Sequence, residues 1–141
     1  MVLDLQKAVV WLLGRSKDPA AVETLVGCLH HLDEEMREVA ARAAGSQQAP
    51  EAAEPLAEMI HQRWKAGKGA TFPIYAIGEI KTRDSARLLV DLIAEVYASA
   101  PESYTLRQLV SAFGNVTGKT FSSETYADSA RKALQWWYEE K

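Results

Sequence analysis

The stretch "DEEMREVAARAAGSQQAPEAAEPLAEMI", Asp33 to Ile60, reads as two amphipathic helices joined by a short connector. Before Gly45, Ala41 and Ala44 fall at helical spacing; beyond it, Ala53, Leu56 and Ile60 recur three and four residues apart on one helical face. Gly45 stands where the first helix should stop, glycine being the residue best able to take the left-handed conformation that ends a helix. Pro50 stands where the next helix should begin, a position that tolerates a missing N–H.

The same unit recurs along the chain. "VVWLLG" ends at Gly14, "ARAAG" at Gly45, "IYAIG" at Gly78 and "VSAFG" at Gly114, spaced 31, 33 and 36 residues apart. Counting eleven residues on from the first three glycines gives Leu25, Leu56 and Leu89, and fifteen gives Leu29, Ile60 and Ile93. Eight gives Val22, Ala53 and Ala86. Four residues before each glycine stand Val10, Ala41, Ile74 and Val110, and one before stand Leu13, Ala44, Ile77 and Phe113. Periods of this size mark paired-helix solenoids, in which no pair can bury its apolar face alone.

The spacing predicts helices near 3–13, 19–31, 34–44, 50–66, 72–80, 84–98, 102–113 and 124–139, with Pro19 and Pro101 opening helices as Pro50 does. Pro73 should keep the fifth helix short. No run alternates as a strand should. The expectation is one all-α domain over 1–141, an α-solenoid of about four antiparallel pairs in units near 1–31, 32–66, 69–99 and 102–141, its last helix a cap.

Composition narrows the function classes. The chain carries 16 Lys and Arg against 19 Asp and Glu, a net charge of −3, with 48% hydrophobic residues. Basic charge is not clustered, which argues against nucleic-acid binding, where phosphate neutralisation supplies most of the affinity. Cys28 is the single cysteine, so no intrachain disulfide forms and a reducing compartment suits the chain. The N-terminal "MVLDLQKAVVWLLGRSKD" has no basic region before its apolar run, and no run approaches the roughly 18 apolar residues needed to span a bilayer. A cytoplasmic location follows as the expectation, with no membrane partner.

Candidate sites are few. "FGNVTGKTF", Phe113 to Phe121, ends like a phosphate-binding P-loop, but Gly114 and Gly118 have three residues between them where that loop needs four, and the stretch follows a helix. It reads as a helix end and a turn. Cys28, His31 and His61 invite a metal test; Cys28 falls where other units place Met59 and Leu92, and His30 and His61 share a register position but are too few for a closed zinc site. No Ser, His and Asp grouping carries a signature. No cofactor, metal ligand or catalytic residue is assigned.

Trp136 and Trp137 are adjacent on a helix, so about 100° apart, and cannot both point inward. The expectation is a cap over the last unit, with whichever ring stays outside open to self-association or a partner; a homo-oligomer is compatible with this. Trp11 and Trp64 read as packing residues near unit edges.

The Asp33–Ile60 stretch resembles the HEAT repeat, especially the HEAT-like repeats of bacterial proteins related to the phycobilisome lyases. Asp33, Arg37, Ala40 and Gly45 match that pattern one by one, as does Pro50 to Leu56. The resemblance extends over nearly all of the chain, and it implies a right-handed stack. The fourth unit departs: with Leu134 matched to Leu89, about nine extra residues follow Gly114. HEAT-like iron hydroxylases carry repeated His-Glu pairs, whereas the pairs here are His30-His31 and His61-Gln62.

In such stacks the second helices line the concave face, so their non-core positions form ladders. Here these read Glu23, Glu54, Arg87; then Gly27, Glu58, Asp91; then His31, Gln62, Glu95, with His61 beside them. The face leans acidic. The expectation is a non-enzymatic scaffold or interaction module holding a protein or peptide partner of basic character there. The resemblance suggests as an alternative a bilin lyase-like or chaperone-like subunit acting with a partner, and nucleic acid comes last because the face is acidic.

Overall fold

The computed structural model describes residues 2–16, 18–31 and 33–140. Among them are eight α-helices, one 3₁₀ turn and no strand: α1 Val2–Leu13, α2 Pro19–Cys28, α3 Glu34–Ser46, the 3₁₀ turn Pro50–Ala52, α4 Ala53–Lys65, α5 Thr71–Gly78, α6 Arg83–Ser99, α7 Tyr104–Thr117 and α8 Tyr126–Glu140. The expected boundary after residue 31 falls at Leu32, outside the described residues.

Local chemistry explains four of the helix starts. Asp18 accepts from the Ala20 N–H, Asp33 from Met36, Thr82 from Ser85 and Ser103 from Leu106, each satisfying an orphan donor at a gain of about 1 kcal/mol. Arg37, one turn into α3, donates to the His31 carbonyl at 2.7 Å and ties the preceding turn to its helix. Pro19 opens α2 as expected, and α5 is short, but Pro50 opens the 3₁₀ turn and Pro101 lies in the turn before the Ser103 cap.

The helices form two columns. The first helices α1, α3, α5 and α7 stack in chain order; α6 joins α4 to α8 in the second column. The recurring positions are the core: Leu25, Leu56 and Leu89 are at most 1% exposed, as Leu29, Ile60 and Ile93 are at most 3%. Burying each such side chain stabilises the fold by roughly 1.5–3 kcal/mol relative to leaving it exposed.

The recurring glycines do something other than expected. Only Gly67 and Gly118 have positive φ among the described glycines, so Gly14, Gly45, Gly78 and Gly114 are not left-handed helix ends. The first three let the next first helix come close instead. A β-carbon on Gly14 would lie 2.6 Å from the Ala43 Cβ, on Gly45 3.0 Å from the Ala76 Cα, and on Gly78 3.2 Å from the Ala112 Cβ. Gly114 breaks the series, because its β-carbon would strike the Lys119 carbonyl oxygen at 2.7 Å.

The last unit closes the stack. Helix α7 runs through Gly114 to Thr117 and ends on Gly118, whose φ of 74° is the left-handed cap, donating its N–H to the Gly114 carbonyl. The longer turn then returns Phe121 onto Phe113, ring centroids 5.5 Å apart, while Trp136 and Trp137 stand 5.9 and 6.1 Å from the same Phe113. Trp137 is buried and Trp136 half-buried, so neither is the exposed aromatic considered above; that is Tyr138, at 61%. The deep residues of α8 are Ala130, Ala133 and Trp137, with Leu134 half-buried beside them. Trp64 packs against the core, but Trp11 is 54% exposed under the Arg15 guanidinium.

Candidate functional site

The second helices place the acidic positions on a common exposed side of the second column. Glu23 on α2, Glu54 and Glu58 on α4, and Arg87 and Asp91 on α6 are exposed; His61 and Glu95 are half-buried. One contact crosses between helices: His61 Nδ1 lies 2.8 Å from Glu95 Oε1. These two stand 34 residues apart although their glycines are 33 apart, so the contact runs diagonally between neighbouring ladder positions rather than along one.

The remaining carboxylates differ in compensation. Asp91 has Arg87 at 3.9 Å one turn away, and Glu58 accepts from the Gln62 amide at 3.3 Å. Glu23 and Glu54 meet no hydrogen-bond donor or cation among the described residues. Three exposed carboxylates on α2 and α4 therefore lack a cation, whereas Asp91 on α6 has Arg87 within reach.

Next to Glu23 the structure opens a groove that the sequence reading missed. Pro19, Val22 and Val26 of α2 face Ala49, Pro50 and Glu51 across a cleft of about 720 Å³. It exists because α2 reaches the neighbouring unit through α3 and the 3₁₀ turn, whereas α4 and α6 pack along one another. The one sign in the sequence was Val22, half-buried where its register mates Ala53 and Ala86 are small and buried. Glu23 and Glu51 flank this apolar wall with negative charge.

Other candidates resolve differently. His31 and His61 do not meet: His31 Nδ1 accepts the Asp33 N–H at 3.0 Å, while His61 turns to Glu95. Among the described residues no three His, Cys, Asp or Glu side chains are grouped to hold a metal ion. Cys28 is a half-buried thiol whose pKa burial pushes up, which disfavours the reactive thiolate. Lys119 and Thr120 line a cleft of about 570 Å³ between α7 and α8, at a turn that follows a helix. No helix of the described residues is long and apolar enough to cross a membrane.

Residues 3–68 match the family model of HEAT repeats, a span that takes in α1 to α4. No curated protein and no solved structure matches the chain. The first two helix pairs are thus similar to HEAT repeats by sequence, and the latter two continue the same two-column stacking.

Proposed function

We propose that this chain is a non-enzymatic interaction module, holding a protein or peptide partner against its second helices. One observation supports this reading above others: Glu23 and Glu51 line a groove walled by Val22 and Val26, and the carboxylates of Glu54 and Glu58, without a cation, follow on α4, the helix that continues from its far wall. Such a surface suits a segment presenting an apolar side chain between Lys or Arg residues. Apolar contact supplies affinity, and the charges supply orientation and encounter rate. The same charges repel the phosphates of a nucleic acid.

The test uses short labelled peptides in which Leu alternates with Arg, against matched peptides with Glu for Arg, followed by fluorescence anisotropy. The basic peptides should bind, weaken with added salt, and lose binding to a chain carrying Glu23→Lys, Glu54→Lys and Glu58→Lys. Equal binding of the acidic peptides, or unchanged binding by the reversed chain, would count against the reading.

A further inference from the structure

The stacking register shows what α1 is missing. Two residues before each later glycine stand Ala43, Ala76 and Ala112, buried to 5%, 0% and 4% exposure against the first helix of the preceding unit. Five residues before stand Ala40, Pro73 and Leu109, also buried. On α1 those two positions are Leu12 and Val9, exposed by 59% and 48%, and one turn earlier Leu5, in register with the buried Met36, is 66% exposed. Helix α1 thus presents bare the face that α3, α5 and α7 bury.

The side chains on that face say what kind of cover fits. Alanine at the stacking position suits a glycine opposite, and Leu12 is too large for that close approach. Leu5, Val9 and Leu12 instead follow the four-then-three spacing of a coiled-coil seam, with leucine at d and a β-branched residue at a, the choice that favours two strands. The flanking Gln6 and Ala8 are uncharged, so a copy laid across a two-fold axis brings no like charges together along the strip. Lys7, the cation of this helix, is turned away and paired with Glu35 and Asp33 of the next unit.

We propose that two copies of the chain associate through α1, each covering the other's Leu5, Val9 and Leu12 in a closed dimer. The interface continues the stacking of the first helices across the two-fold, and it leaves the acidic side of the second helices free.

Sedimentation equilibrium of the full chain at micromolar concentrations tests this. A closed dimer is expected, insensitive to salt because the seam is uncharged, and Val9→Lys with Leu12→Glu should weaken it by at least about tenfold in dissociation constant. Tyr75→Ser, an exposed aromatic change elsewhere on the first-helix column, should leave the dimer intact. All three side chains are exposed in the monomer, so circular dichroism should show the variants folded. Valine at a with leucine at d favours parallel strands, in which Val9 meets its own mate; a Cys28→Ser chain carrying Val9→Cys should then cross-link on oxidation. A wild-type monomer, a dimer that survives the double change, or a ladder of oligomers growing with concentration would each overturn the proposal.

Discussion

A β-carbon built on Gly45 would lie 3.0 Å from the Cα of Ala76 and 3.1 Å from its carbonyl oxygen, so helix α5 sits on α3 closer than an ordinary side-chain contact. Gly14 with Ala43 and Gly78 with Ala112 repeat the relationship one unit before and one after. The glycine period is therefore a stacking period: each unit offers a bare backbone patch, and the next brings an alanine against it.

Replacing Gly45 with Ala should destabilise the fold by about 1–3 kcal/mol, the usual cost of overpacking against backbone that cannot retreat. Gly27, which has open space where a β-carbon would go, is the control. Gly27→Ala should raise stability by roughly 0.5 kcal/mol through the unfolded chain and helix propensity. Chemical denaturation of both variants decides; equal shifts would show that the close approach at Gly45 is loose.

The Phe113 cluster makes a second prediction, because the long α7–α8 turn has a packing purpose. Phe121 lies 5.5 Å from Phe113 and 5.9 Å from Trp136, half-buried between them. Phe121→Ala should cost roughly 2 kcal/mol, below the range for a fully buried aromatic, while Lys119→Ala, exposed in the same turn, should leave the melting temperature within error. A melt in which the two changes act alike would detach the turn from the core.

How much of this was legible in the sequence depended on which residues carried the signal. Leu25, Leu56 and Leu89 announced their burial through spacing alone, since an apolar period follows directly from helix geometry. Gly45 was legible as a landmark but not in its role: a helix end and a close helix crossing both ask for glycine, and only the neighbour's position distinguishes them. Gly118 was passed over as the left-handed cap because Gly114 already occupied the register position. The groove beside Glu23 depends on how far α2 stands from α4, which no local pattern encodes. His61 and Glu95 occupy neighbouring ladder positions, and side chains reaching diagonally between α4 and α6 bring them together.

Glu79 adds a pH dependence. Its carboxylate reaches over the crossing of α3 and α5, where a β-carbon on Gly45 would touch Oε1 at 3.1 Å, and burial raises its pKa above the usual carboxylate value. A carboxyl whose folded pKa is raised stabilises the fold in its protonated form, fully below the unfolded value of about 4.3, and that contribution is lost as pH rises through the folded value. Glu79→Gln, neutral throughout, should therefore melt higher than the wild type at pH 7, with the gap narrowing toward pH 4. A gap that widens toward acid pH would reverse the sign assigned to this burial.

Arg63 joins three segments with one side chain. Its Nη1 donates to Glu34 at 2.7 Å, its Nε donates to the Gly69 carbonyl at 2.6 Å, and its guanidinium stacks over the Phe72 ring at 5.1 Å. The start of α3, the loop after α4 and the start of α5 are thereby held together. A lysine ammonium can meet the carboxylate, but it cannot donate in two directions from a plane while lying flat on a ring. Arg63→Lys should consequently lose most of what Arg63→Ala loses, about 1 kcal/mol or somewhat more for charge-assisted bonds at a partly exposed site. Amide exchange gives the sharper readout: the loop around Gly69 should exchange faster in both variants, whereas the core of α6 should be unaffected beyond the global shift. Full protection of the loop in Arg63→Lys would mean that the Glu34 contact alone orders it.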